Sequence, residues 1–291
     1  MAPQLRPLSI GELLDQTFRL YREHFWLFVG MATLAMVLAG GVIALVAIAF
    51  ALFFGGGTST QVAISAVLVG VPAVVLGYTG SLALCYAAIV YAASQLYLEQ
   101  PVTIRGSYNV VMHRFWALTG LVILMGMIIF AATVLGVLAL IIGALVTCFL
   151  SACYVSLSIP AMVLEGSGVM DSLRRSYAMV KGDLGKVALT LFVFWAVQTA
   201  AGYLLMYGAM IPLLVMSVQH GTQPPIWAAL LPYLGQFLAI IVTMPLMGIG
   251  LSLVYYDIRI RREAFDLQVM MSSLGPAAPS AAPASSAASS V

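Results

Sequence analysis

The sequence predicts an all-α integral membrane protein with six transmembrane helices and amphipathic helices at one membrane surface. Three observations carry that prediction. Of the 291 residues, 63% are hydrophobic and 8% charged, with mean hydropathy +1.07, against roughly 25% charged residues in a soluble globular domain. The apolar residues fall in runs longer than the about 20 residues a bilayer requires. The 12 basic and 10 acidic residues gather between alternate runs, in stretches with helical periodicity.

Residues 9–23, SIGELLDQTFRLYRE, open with a capping box in which Ser9 bonds the amide of Glu12 and Glu12 reaches back. Glu12, Asp15, Gln16, Arg19, Arg22 and Glu23 share one face, with an i,i+4 pair from Asp15 to Arg19; Ile10, Leu13, Leu14, Thr17 and Tyr21 share the other, a membrane or bundle contact. His24-Phe25-Trp26 then marks the headgroup level, where aromatic rings settle. The first span, 26–54, is too long for a signal-peptide core and follows an acidic amphipathic segment, so it is expected to be retained. Tilt or a kink near Gly40-Gly41 accommodates its length. GGGTST at 55–60 forms a turn.

Residues 61–98 carry no charge over nearly two span lengths. Either one helix runs beyond the bilayer, or the segment breaks near Pro72 or Gly77–Gly80; a single crossing, 66–98, with a bent outer portion is the expectation. A second amphipathic helix follows at 102–113. Spans at 115–136 and 138–161 are joined by a tight apolar turn near Gly136 or Gly143, with Pro160 ending the second.

The stretch Pro160–Lys186 holds seven of the 22 charged residues. Asp171 lies three and four residues before Arg174 and Arg175, while Met170, Leu173, Tyr177 and Val180 share the opposite face, so a surface helix at 168–182 is expected. A fifth span at 187–217, a polar turn VQHGTQPP and a sixth span at 226–256 complete the membrane domain, 1–271. Its last part, 257–271, is a charged helical extension with pairs Asp257–Arg261, Arg259–Glu263 and Arg262–Asp266, expected to project into water. The Ala/Pro/Ser tail, 272–291, cannot bury a core and is expected to be disordered.

TFRLYREHFWL (17–27), SYNVVMHRFWA (107–117) and SYAMVKGDLGK (176–186) align with one another ahead of a span, so the chain reads as three copies of an amphipathic helix plus two crossings. The third copy has Leu184-Gly185 where the others have Phe-Trp. With six spans, every Lys and Arg lies on one side: Arg6, Arg19, Arg22, Arg105, Arg114, Arg174, Arg175, Lys181, Lys186, Arg259, Arg261 and Arg262. The positive-inside bias then places both termini in the cytoplasm, in a multi-pass inner-membrane protein.

The functional signals are sparse. No ionisable residue is expected in the middle of a span, which weighs against carboxylate-relay transport and an embedded metal hydrolase. Gln198 and Gln236 are the deepest strongly polar groups and are expected to pair between spans five and six, as helix-to-helix bonding or a substrate contact. His24, His113 and His220 are isolated. Cys85, Cys148 and Cys153 lack ligand spacing and read as small core hydrophobes. Gly166-Ser167-Gly168 is a turn, not a nucleophile elbow. No nucleotide, zinc or dinucleotide motif occurs. No catalytic residue, cofactor or metal is therefore assigned, and no nucleic-acid partner.

The remaining candidates are the basic residues of the shallow helices and the last segment, Arg19, Arg22, Arg105, Arg114, Arg174, Arg175, Lys181, Lys186, Arg259, Arg261 and Arg262. They act either as contacts to anionic headgroups or a protein partner at the cytoplasmic face, or as topology anchors in local ion pairs, with Asp171 and Asp183 beside the third group.

LSIGELLDQTFRLYREHF, PAMVLEGSGVMDSLRRSYAMVKGDLGK and YYDIRIRREAFDLQ resemble the bacterial and archaeal membrane-domain family of glycerophosphoryl diester phosphodiesterases. The resemblance covers residues 8 to about 268. It implies a stand-alone membrane domain, because the acids and histidines of that family's attached catalytic barrel have no counterpart. Together these readings lead to a non-enzymatic, lipid-interacting scaffold or accessory subunit. The alternative is a translocator of a lipid or other amphiphile through a groove between repeats. A polar-lined groove reaching the midplane beside Gln198 and Gln236 favours translocation, and a packed bundle favours the scaffold.

Overall fold

The computed structural model describes residues 8–54, 59–138, 140–220 and 230–263, and these are helical almost throughout, with no β-strand among them. The elements are α1 (Ile10–Glu23), α2 (Phe25–Phe54), α3 (Ser59–Ser65), a π-helical turn (Ala66–Gly70), α4 (Val71–Tyr97), α5 (Ile104–Met112), α6 (Phe115–Val137), α7 (Leu140–Val155), α8 (Ser158–Glu165), α9 (Val169–His220) and α10 (Leu231–Glu263). Six segments are long and apolar enough to cross a bilayer: Phe25–Phe53, Ala66–Tyr97, Phe115–Val137, Ile142–Glu165, Val169–Val215 and Leu231–Arg262. Of the turns expected at 55–60 and 218–225, Ser59–Thr60 are instead the start of α3 and Val218–His220 the end of α9, because the helices extend past the apolar runs; residues 55–58 and 221–225, the start of span six, residues 264–271 and the tail lie outside the described residues.

Local chemistry accounts for most boundaries. The capping box at Ser9–Glu12 is present. Thr103 caps α5 by accepting from the Gly106 amide at 3.2 Å. α2 runs unbroken through Gly40-Gly41. The long uncharged segment is a single crossing whose irregularity is the π-turn just before Pro72; Gly70 and Val71 keep right-handed helical geometry, so the proline sits within a continuous helical run and the π-turn falls where its amide is missing.

Pro160 does not end the fourth span. The helix breaks earlier, at Ser156–Leu157, and Pro160 sits in the first turn of α8, where a missing N–H costs nothing. The span instead stops at Glu165, because Gly166 takes a left-handed conformation at φ +70°.

The threefold repeat is visible in the backbone. In the register that aligns Thr17, Ser107 and Ser176, the residue seven positions on is His24, Arg114 and Asp183. Each leaves helical geometry in the same way, at φ/ψ of −121°/32°, −109°/18° and −132°/32°. The aligned hydroxyls are all buried, at 0%, 1% and 0% exposure. Phe25 and Phe115 each set an edge-to-face contact with the following Trp26 and Trp116. The third copy keeps the break at Asp183 without the aromatic pair, so the backbone repeat does not depend on it.

Each unit folds as a hairpin of its two crossings, α2 with α4, α6 with α7 and α9 with α10. Each amphipathic helix then packs on the second crossing of the preceding unit: α5 on α4, the first limb of α9 on α7–α8, and α1 back on α10, closing the ring. The bundle alternative for the apolar face of α1 is therefore the one realised. α1 runs antiparallel along α10, with Leu8 bonded to Asp257 at one end and Tyr21 donating to the Val242 carbonyl at 2.6 Å at the other. Burial pushes the Tyr21 phenol up to about 12, so it stays a donor at neutral pH.

The second crossings form the interior. Ala83, Ala87, Ala88, Ala92 and Ala93 give α4 a smooth buried face, and α10 is the most buried span. Between lipid-solvated helices such close approach supplies the van der Waals packing that water would otherwise drive. A Cβ on Gly136 would lie 2.7 Å from the Gly143 carbonyl oxygen, and one on Gly235 2.8 Å from that of Leu205, so both crossings need glycine.

Candidate functional site

The end of α10 is where the charges converge. The sequence reading placed residues from 257 onward in water, and the structure corrects this. Tyr255, Asp257 and Ile258 are at most 1% exposed and Ile260 is 6% exposed. A helix at the centre of a ring is surrounded on every side, so even its charged turn is enclosed and must be paired.

Asp257 is the first focus. Its side chain is wholly buried and accepts from the Leu8 amide at 2.6 Å, from Lys186 Nζ at 2.6 Å and from Arg261 Nε at 3.0 Å. The Leu8 carbonyl in turn accepts from Lys186 at 2.6 Å and Arg261 at 2.8 Å. The segment leading into α1 is thereby clamped to both crossings of the third unit. The predicted i,i+4 pair Asp257–Arg261 is one strand of this clamp.

Glu165, the last residue of α8, is the second focus. One of its oxygens accepts from the Tyr255 hydroxyl and from Arg175 at 3.0 and 3.2 Å, with Arg259 Nε 3.8 Å away. The Arg259 guanidinium also lies over the Tyr255 ring, 5.9 Å from its centroid. A third pair joins Arg262 to Asp183, the break residue of unit three, at 2.8 Å. Arg262 thus reaches across to α9; its predicted partner Asp266 and the side chain of Glu263 lie outside the described residues.

These contacts divide the eleven basic candidates. Arg175, Lys186, Arg259, Arg261 and Arg262 are spent on ties between units. Arg114 donates to the Met162 carbonyl at 3.4 Å. Arg19 meets Glu23 at 3.9 Å instead of Asp15, both side chains more than half exposed. Arg22, Arg105, Arg174 and Lys181 are exposed and have no ion pair among the described residues.

The Gln198–Gln236 pairing is not formed. Both residues are half-buried, and the Gln236 amide instead rests against Gly202 of α9, where a Cβ would come within 2.8 Å of it. The cavity between the units lies elsewhere. It has a volume of about 280 Å³ and is walled by Tyr86, Val122, Met125, Val155, Leu191 and Met247 among others. Its polar side chains are engaged: the Tyr86 hydroxyl donates to the Met247 carbonyl at 3.5 Å and Ser156 to that of Cys153 at 2.8 Å. Gly166-Ser167-Gly168 is an ordered turn, with Ser167 bonded to Ser172 at 2.8 Å. Among the described residues no group of three His, Cys, Asp or Glu is placed to hold a metal.

The sequence reading missed Glu165 and Asp257 as centres, and it missed Tyr255 and the Leu8 backbone as partners. One signal was present: Tyr255, Tyr256, Ile258 and Ile260 interleave with the charges, which a solvated helix has no reason to do. No known protein family, curated protein or solved structure matches the chain.

Proposed function

We propose that this chain is a non-enzymatic inner-membrane protein that binds lipid at its basic face and serves there as a scaffold or accessory subunit. The observation that carries the reading is the division of the basic residues. Arg22, Arg105, Arg174 and Lys181 project from the amphipathic helices with no ion pair among the described residues, while the buried carboxylate of Asp257 is held by three donors and Glu165 ties α8 to Tyr255 and Arg175. Asp257, wholly buried and engaged by three donors, is placed as a structural tie between the segment before α1 and the third unit. The apolar lining of the central cavity supports the scaffold over translocation, because a headgroup crossing there would shed its hydration against Met and Val side chains. The resemblance to glycerophosphodiesterase membrane domains rests on the three sequence blocks and is compatible with this lipid-facing role.

Replacing Arg22, Arg105, Arg174 and Lys181 together with Gln is expected to reduce retention of anionic phospholipid in native mass spectrometry by at least tenfold, each near-surface charge adding about 1 kcal/mol. Folding, followed by gel filtration, should be unaffected. Retention equal to wild type rejects the reading, as does rapid lipid scrambling by the wild-type protein in vesicles.

The orientation belongs to the same proposal. Reporter fusions at residue 3 and residue 275 are both expected to report cytoplasm, since an even number of spans puts the two ends on one side and the positive-inside bias makes that side the one carrying the basic residues. Opposite readings at the two sites exclude a six-span thread.

A further inference from the structure

The three units present related surfaces at the seams where an amphipathic helix lies on the preceding unit, and in two of them the aligned aromatic of that helix has a ring partner. In the first, Phe18 of α1 meets Phe194 of α9, ring centroids 6.1 Å apart. In the third, Tyr177 of α9 meets Tyr154 of α7 at 5.1 Å. The aligned residue of the second unit is Tyr108, on α5. In the repeat register the α2 residue matching Phe194 is Ala35; each stands eighteen positions past its aligned hydroxyl. With a methyl group there, α2 offers Tyr108 no counterpart of the ring that Phe18 meets on α9. Tyr108 turns inward, and its hydroxyl donates to the Met31 carbonyl at 2.9 Å.

Beside Tyr108 lies a groove of about 490 Å³ between α2, α4 and α5. Its apolar wall is formed by Leu34, Leu38, Leu84 and Ile104, and Leu34 and Leu38 are 41% and 47% exposed on the side that faces the surrounding lipid. Arg105 and Asn109 edge the same groove. Both are exposed, Arg105 has no ion pair among the described residues, and no acidic side chain lines the groove. An apolar trough facing lipid with a single uncompensated guanidinium at its edge matches an amphiphile with an anionic head and a hydrocarbon tail.

We infer that this groove is a binding site for an anionic phospholipid, with one acyl chain along Leu34, Leu38 and Leu84 and the phosphate on Arg105 and Asn109. The inference rests on the lipid-binding reading above and narrows it to one site. Arg105 donates to the phosphate oxygens, and Asn109 adds a neutral donor that fixes the head without adding charge. Arg174 occupies in the third unit the position that Arg105 holds in the second, at a seam where Tyr177 and Tyr154 pair.

The test is photo-crosslinking in nanodiscs, using phosphatidylglycerol with a diazirine in its acyl chain and a matching phosphatidylcholine probe. The wild-type protein is expected to label chiefly within residues 30–42 and 104–112, with phosphatidylglycerol favoured. Arg105→Gln should lower that labelling about fivefold, the contribution of one near-surface charge. Leu34→Trp, which fills the trough from its lipid side, should remove it, and Arg174→Gln should leave it unchanged. Equal labelling by both probes, or labelling indifferent to Arg105→Gln and Leu34→Trp, overturns the site. If the fourfold Gln variant still loses lipid while these single variants do not, the groove is rejected and the general lipid reading stands. If neither responds, both fall.

Discussion

Replacing Asp257 with Ala is expected to destabilise the protein by roughly 3–5 kcal/mol, the usual consequence of removing one partner from a buried ion pair. The side chain is wholly enclosed and organises three donors, and its loss leaves Lys186, only 11% exposed, as a charge without a counter-ion. The Leu8 amide loses its acceptor at the same time. The damage should therefore spread along the clamp. Hydrogen exchange in residues 8–23 is expected to rise, because that helix closes the ring on α10, while α6 and α7 should keep wild-type protection. A second substitution, Lys186→Met in the Asp257→Ala background, should recover part of the lost stability by removing the stranded charge. An unchanged melting temperature in detergent together with unchanged exchange in α1 contradicts the clamp.

Glu165→Gln is expected to cost roughly 1.5–3 kcal/mol, the range for hydrogen bonds to a charged group. The lower end is favoured because Arg175 is one-third exposed and water screens part of the pair. The amide keeps the shape and one acceptor for Tyr255, but the negative charge that Arg175 and Arg259 approach at this oxygen is lost. The seam joining α8 to α9 and α10 should loosen, seen as earlier protease cleavage in residues 164–176. Arg19→Gln provides the contrast. Its pair with Glu23 is more than half exposed on both sides, and such pairs contribute about 0–1 kcal/mol. Equal effects for Glu165→Gln and Arg19→Gln refute the view that enclosure gives the Glu165 knot its strength.

Both predictions concern contacts that the sequence suggested only faintly. The six crossings were legible because burial in hydrocarbon forbids unpaired charge, so the charged residues punctuate the chain. The capping box at Ser9 and the repeat register at Thr17, Ser107 and Ser176 were legible because they are local or periodic. The error at Pro160 has a local cause: a proline that ends a helix and one that begins the next differ only in whether its amide is needed. The expectation that residues 257–260 stand in water failed for a different reason. Charge pattern along one helix does not reveal how many neighbours surround it.

By itself the sequence determined which segments are apolar enough to cross, the number of crossings, the gathering of charge between alternate crossings and the existence of three related units. Each of these follows from the cost of transferring single residues or single helices into hydrocarbon, a property of the segment alone. Only the tertiary structure decided which basic residues are locked in ties between units, which face α1 covers, and which seams an aromatic pair fills. Those outcomes depend on pairs of residues far apart in the chain, such as Leu8 with Asp257, Glu165 with Tyr255 and Phe18 with Phe194, and they are settled by how the units close on one another.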